Sequence, residues 1–152
     1  MPEKATLQKA KEDLHEGKAA STAAGEFVKE EMDHIRGGKH GARSTKQAIA
    51  IGLSKARRAG VPLKPPKKGT ASAATRRKAE REYATGQGRR KTKSGSARRS
   101  RARQEALKRE PRSAASRRNL SKQAKTAAQK RGSSARRQAA AKAARTKQKK
   151  AA

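Results

Sequence analysis

Ten of the twelve Leu, Ile, Val and Phe residues in this 152-residue chain lie before residue 64. A share of such residues below about 20%, joined to a high net charge, leaves too little surface to bury against the entropy of ordering the chain. Twelve in 152 is far below that share, so the sequence predicts no single core spanning the chain. Only 31% of residues are apolar at all, against roughly 45–50% in ordinary globular domains, and most of these are alanine.

The charge is segregated. Residues 1–36 carry eight acids and six bases, residues 37–152 carry four acids and 37 bases, and the whole chain has a net charge of +31. No acid lies between Gly37 and Ala79 or beyond Glu110. A face that only keeps a protein in solution uses both signs, so solubility does not account for this excess. Such a chain repels itself and seeks polyanions. Duplex DNA carries one negative charge per roughly 1.7 Å, so charge parity corresponds to about 50 Å of duplex, on the order of fifteen base pairs. RNA, acidic lipid and polyphosphate are the competing anions. No apolar run approaches the roughly 18 residues of a membrane span, and membrane insertion is not expected. The stretch "MPEKATLQKAKEDLHEG" lacks the apolar run of a secretory signal. Without cysteine, disulfides, thiolate catalysis and cysteine zinc sites are excluded.

The large side chains fall into helical patterns. Residues 3–16 are helix-permissive and end at Gly17, with Leu7 and Leu14 as the large apolar residues. Ser21 and Thr22 are placed to cap a second helix reaching Arg36, where Phe27, Val28, Met32 and Ile35 fall near one face and Gly37 and Gly38 end it. In a third, Ser44 and Gln47 fit a capping box, and Gly60 is the natural stop. Ala48, Ile49, Gly52, Leu53 and Ala56 share one face of this helix, and Ile51, Lys55 and Arg58 another. Phe27, Met32, Ile35, Ile49 and Leu53 are therefore expected to meet across the 37–43 loop as the core of a helical hairpin over about 23–60, with Ala48 and Gly52 allowing close approach. Burying five such side chains at roughly 1.5–3 kcal/mol each only just offsets the ordering of the hairpin. Self-association as a homodimer, or a partner, would supply the remainder. The resulting fold class is a small all-α module followed by a long, largely disordered basic tail with transient helices. Residues 1–22 are a polar helix or disordered arm, 23–60 the hairpin, 61–69 a stiff Pro/Lys linker and 70–152 the Ala/Lys/Arg/Ser tail.

The tail echoes itself. "SAATRR" at 72–77 returns as "SAASRR" at 113–118, "SARR" occurs at 96–99 and 134–137, and Arg pairs begin at 57, 76, 98, 117 and 136, with a further pair at 89 outside that spacing. Two explanations stand: chance in a narrow alphabet, or a degenerate module of a Ser/Thr cap, a basic helical segment and a closing Gly or Pro. Gly86, Gly95, Pro111 and Gly132 punctuate the tail in the second way. Alanine, lysine and arginine favour helix, but a cationic face without acids lacks i, i+4 pairs. Phosphates would supply the missing anions, so helix is expected to form on binding.

Candidate phosphate contacts are Lys39, Arg43 and Lys46 around the loop, Arg57 and Arg58 at the end of the third helix, and Lys67 and Lys68 in the linker. In the tail they are Arg76 with Arg77, Arg89 with Arg90, Arg98 with Arg99, Arg117 with Arg118, and Arg136 with Arg137. The forked donors of arginine suit phosphate. Stacking binders of single strands need exposed aromatics, and only Phe27 and Tyr83 exist. Contact with the backbone of duplex DNA is thus favoured over base reading, with RNA the alternative.

The other motifs are weaker. "GGKHGARST" at 37–45 fails the Walker pattern because His40 follows Lys39. A milder form survives, in which Gly41, Ser44 and Thr45 present N–H groups to a phosphate at a helix N-terminus, against the alternative of a plain connecting loop. Residues 45–61 resemble a helix-turn-helix in the spacing of Ala48 and Gly52. Gly52 would then have to break a helix that Ile51 and Leu53 continue, and Arg58 would occupy an apolar position; an uninterrupted helix is the simpler reading. His15, His34 and His40 have no metal-ligand spacing with one another and read as surface histidines, so no metal or cofactor is expected. Glu26, Glu30, Glu31 and Asp33 read as a solvated helix face able to pair with the basic half. No serine, histidine and carboxylate set is positioned for catalysis, and no enzyme activity is expected.

The run Lys46–Ala56, KQAIAIGLSKA, preceded by a short acidic helix and a Gly-rich turn over 26–41, resembles a family of small, uncharacterised basic bacterial proteins. The likeness covers roughly residues 25–65 and implies a bacterial setting but no established activity. The tail is similar in composition to histone H1-like tails of bacterial nucleoid proteins, which implies a cytoplasmic, nucleoid-associated DNA binder. An RNA- or ribosome-associated protein, and an adaptor whose hairpin docks a protein while the tail holds nucleic acid, are the alternatives.

Overall fold

A computed structural model of the chain describes residues 2–90 and 96–151. Gly95, read above as punctuation, lies outside them. The described elements are α1 (Lys4–His15), α2 (Ala20–Arg36), α3 (Thr45–Arg58), α4 (Ala73–Gly86), α5 (Ala97–Lys108), a 3-10 turn (Arg112–Ala115) and α6 (Arg117–Ala151). No strand occurs among the described residues, and one isolated bridge pairs Lys68 with Ala71. The chain divides into two compact units, Met1–Ser116 and Arg117–Ala152.

In the first unit α2 and α3 form the expected hairpin, α1 packs on α2, α4 packs on α3, and the 3-10 turn lies against both hairpin helices. The start of α3 follows from local chemistry. Ser44 Oγ accepts the Gln47 N–H at 3.2 Å, and the Gln47 side-chain oxygen accepts the Arg43 N–H at 2.9 Å, one residue ahead of the reciprocal capping-box donor. The helix runs unbroken through Gly52, which disposes of the helix-turn-helix reading. α2 departs from expectation. It begins at Ala20 behind an N-cap, Ala19, that has no side-chain oxygen to offer, so Ser21 and Thr22 sit inside its first turn.

Phe27 and Ile35 are fully buried and Met32 nearly so. Ile49 and Leu53 are only half-buried, Leu53 against the Phe27 cluster. The residues of α3 that close the seam are the small ones, Ala48, Gly52 and Ala56, one helical turn apart on one face. Nine of the thirteen buried apolar residues are alanine, so this core is made mostly by backbones brought close together and only locally by large side chains. A Cβ built on Gly52 would stand 2.7 Å from Val28 Cα and 3.0 Å from the Phe27 carbonyl oxygen, both fixed in α2. In an open helix Gly→Ala stabilises by about 1 kcal/mol. Here the sign should reverse: Gly52→Ala is expected to destabilise by about 1–3 kcal/mol, read as a lower urea midpoint at unchanged slope.

The segment expected to be a linker contributes to this core. Val61 is 4% exposed and joins the cluster of Ala10, Ala23, Ala24, Phe27 and Ala56, with Leu63 packed beside it. The expected tail also begins as part of the unit. Ala79 of α4 is buried, and the Ser54 hydroxyl donates to Glu82 Oε1 at 2.6 Å. Ala114 and Ala115 are buried as well. The compact unit therefore extends to Ser116, and the hairpin faces expected to need a second copy are covered by α1, α4 and the 3-10 turn of the same chain. A count of large side chains misses this because alanine buries little area of its own while permitting close approach.

The acidic face of α2 also differs from expectation. Glu26 pairs with Lys9 at 3.4 Å and Asp33 with Arg36 at 3.4 Å near the surface, but Glu30 and Glu31 are buried. Lys55 of α3 spans the two, at 3.2 Å from Glu30 Oε1 and 2.7 Å from Glu31 Oε2. This is the pairing with the basic half foreseen from the sequence, made inside the hairpin. Burial opposes ionisation of Glu30, yet the Thr6 hydroxyl, the Glu3 amide and Lys55 together hold its carboxyl below the usual value.

In the second unit, Gly132 (φ 77°, ψ 169°) breaks α6 into two helical segments, as its place in the sequence suggests. None of the described side chains of α6 is buried. Where the sequence predicts a tail with transient helices, the structure has helix over 117–151.

Candidate nucleic-acid interface

The basic residues sort into those held inside the first unit and those left on its surface. Arg57, read as a phosphate contact, is 9% exposed; its Nε–H donates to the Leu63 carbonyl at 3.3 Å. Burial pushes its guanidinium pKa down and Glu82 opposes the shift. Arg57 anchors the proline segment to α3 and is not on the surface. Its neighbour Arg58 is exposed, with Nε–H on the Ser54 carbonyl at 3.3 Å. Lys39 is exposed but ion-paired with Glu3 at 2.9 Å. Hydrogen bonds from Lys39 and then His34 hold the Glu3 carboxyl down at about 2.

The loop over 37–45 lies against a later segment of the chain, which takes one of the N–H groups read as phosphate donors. The Gly41 N–H donates to the Leu107 carbonyl at 2.8 Å, and the Ala42 N–H to the Pro111 carbonyl at 3.1 Å. The Thr45 hydroxyl donates to the Ala114 carbonyl at 2.6 Å, and Ser44 is spent on its own helix. A Cβ on Gly41 would lie 1.8 Å from the Glu110 carbonyl oxygen, so glycine is what lets the later segment lie against the loop. Of the three N–H groups read as phosphate donors, that of Gly41 is thus taken by the Leu107 carbonyl. Arg43 remains exposed, 3.7 Å from Glu110. Lys46, Lys67 and Lys68 are exposed.

The surface arginines concentrate on α4 and beyond. One face of α4 packs through Ala79 and Glu82; the other bears Arg77 and Arg81, one turn apart. An open groove of about 650 Å³ runs along that face between Ala74, Arg77, Glu80, Arg81, Ala84 and Arg90. Three arginines around one groove can hold adjacent phosphates through their forked donors. Arg81 was missed in the sequence because it is not part of a pair; its spacing of four from Arg77 was the available signal. Arg76 turns away into an ion pair with Glu80 at 3.1 Å. Arg89, Arg98 and Arg99 are exposed. Ser72 and Ser96 cap α4 and α5 by accepting the Thr75 and Arg99 amides, so both helices start as the cap-and-basic-helix module requires.

In the second unit Arg118, Lys122 and Lys125 recur at helical spacing beside Ser121 and Thr126, lining a shallow groove of about 340 Å³. Arg117, Arg136 and Arg137 are exposed, and Arg136 Nε–H donates to the Gly132 carbonyl at 3.2 Å. Among the described residues no helix is long and apolar enough to cross a membrane.

Two histidines are not where the sequence put them. His34 and His40 have side chains only 14% and 18% exposed. Their rings meet edge to face with centroids 6.1 Å apart, while His15 stays exposed.

Residues 16–69 match a family of unknown function (DUF6496). The DUF6496 match begins just after α1 and spans the α2–α3 hairpin, with its buried glutamates and part-buried His34 and His40, and the proline segment. It stops before α4, so the groove of Arg77, Arg81 and Arg90 lies outside it. No curated protein and no solved structure matches the chain.

Proposed function

We propose that the chain binds nucleic acid through the phosphate backbone without reading sequence, that duplex DNA is its main ligand, and that it compacts or bridges DNA as a nucleoid-associated protein of the bacterial cytoplasm. The observation that carries this reading is the surplus of 31 positive charges, concentrated on the exposed faces of α4, α5 and α6, where few acids offset it. Burial of Phe27 removes the one phenylalanine from stacking and supports backbone contact over base reading. Several cationic helices on one chain give multivalent contact, so bridging needs no dimer of the hairpin. In α6, where no acid lies on the helix and no described side chain is buried, like charges at i, i+4 oppose the helix. Phosphate neutralisation removes that opposition, so binding should stabilise the α6 helix.

The test is a salt series with the full chain and duplex DNA. Engagement of ten phosphates gives a slope of about −9 in log affinity against log salt, and affinity should fall about 10⁵-fold between 50 and 200 mM salt. Circular dichroism of the complex should show the helical signal persisting to higher temperature than in the free chain. Salt-independent binding would remove the mechanism. Preference for structured RNA over duplex DNA at equal salt would move the assignment to RNA.

A further inference from the structure

We propose that Glu31, His34 and His40 form a binding site for one divalent transition-metal ion of the zinc class. One donor atom from each of the three lies within 4.8 Å of the others. His40 Nε2 is 3.4 Å from Glu31 Oε1. Two donors about 2.0–2.1 Å from a tetrahedral ion stand about 3.3–3.5 Å apart, so this pair is already at the spacing an ion would impose.

The hydrogen bonds behind the rings aim their lone pairs. His40 Nδ1 is 3.1 Å from the Gly41 carbonyl oxygen, which can only accept, so Nδ1 carries a proton and Nε2 is left to face Glu31. His34 Nε2 is 2.9 Å from Glu3 Oε1, an acceptor when ionised, which leaves Nδ1, 3.9 Å from Glu30 Oε1, as its nitrogen without a hydrogen bond. An outer carbonyl or carboxylate that fixes the tautomer is the usual support of a metal-binding histidine. In the neutral ring, an Nε2 lone pair pointing at a carboxylate oxygen is repulsive unless a cation stands between them.

Glu31 supplies the independent observation. Its side chain is 1% exposed, and neither carboxylate oxygen accepts a hydrogen bond. Lys55 Nζ comes within 2.7 Å of Oε2 but outside hydrogen-bond geometry, and it donates instead to Glu30 Oε1 at 3.2 Å. A buried carboxylate that accepts no hydrogen bond is costly even beside one lysine, and an ion on the His40 side would satisfy Oε1. Two imidazoles and one carboxylate suit zinc, cobalt or nickel, whereas calcium and magnesium want oxygen alone. The ion would tie the 37–43 loop to α2. Lys55 is its competitor for Glu31.

The test is calorimetric titration of the full, nucleic-acid-free chain with Zn²⁺ in a non-chelating buffer containing excess Mg²⁺. One ion per chain is expected. Zinc should shift the imidazole resonances of His34 and His40 and leave those of His15 in place. Glu31→Gln and His40→Gln should each weaken uptake roughly tenfold or more, and His15→Gln should leave it unchanged. Lys55→Met, by removing the competing charge, should tighten it about tenfold. No uptake, or uptake that moves His15 as much as His34 and His40, overturns the site using the unsubstituted chain alone. Indifference to His40→Gln, or weaker binding in a folded Lys55→Met chain, overturns it as well.

Discussion

Phe27→Ala is expected to lower the unfolding free energy of the first unit by about 3–5 kcal/mol. Phe27 is the largest fully buried side chain. The buried members of its cluster are otherwise Ala10, Ala23, Ala24, Ala56 and Val61, with Leu7, Leu14, Leu53 and Leu63 packed against it from the edge, and alanines have no rotamer that could swing into the space left behind. The loss is therefore the transfer term plus a cavity that the edge leucines fill only in part. Tyr83, the only tyrosine in a chain without tryptophan, lies on α4 in this unit, so its fluorescence reports the transition without interference from helix in α6. A midpoint in urea that does not move would mean that these helices are held together by something other than the Phe27 cluster.

Arg118→Gln, Lys122→Gln and Lys125→Gln, made together, are expected to make the salt slope of DNA binding shallower by up to about 2.7 and to weaken binding on the order of 100-fold at 0.15 M salt. The three bases line one groove of α6, in a helix with no acid to share them. Arg57→Gln is the matched control. It removes one positive charge too, but from a buried guanidinium bonded to the Leu63 carbonyl, so it should reduce stability and leave the slope unaltered. Equal slopes in the triple variant and the unsubstituted chain would take α6 out of the interface.

Much of the hairpin was legible because its signals are local. Ser44 and Gln47 announce the start of α3, Gly60 its end, and the 3.6-residue recurrence of Phe27, Met32 and Ile35 the buried face of α2. The same holds for the Ser72 and Ser96 caps and for the break at Gly132. What escaped depends on residues far apart in the chain. Glu31 and His34 are three apart on one helix face, a common metal-ligand spacing, but His40 joins them only once the loop folds back, and a search for spacing among histidines alone passes over them. Arg57 and Arg58 look equivalent as letters, yet one faces α4 and the proline segment and the other faces solvent. Gly41 looks like a loop residue until the Glu110 carbonyl is seen lying against it.

The sequence by itself determined the helical class, the two-helix centre and the cation excess, because periodicity, capping and charge are properties of neighbours in the chain. Only the tertiary structure decided how far the folded unit extends, which bases it consumes and which carboxylate it buries beside Lys55 with no hydrogen bond on either oxygen. The physical reason is alanine. Its small side chain carries almost no signal along the sequence, yet it lets helices approach until their backbones form the core, and that close approach places Glu31 beside His40 and Lys55.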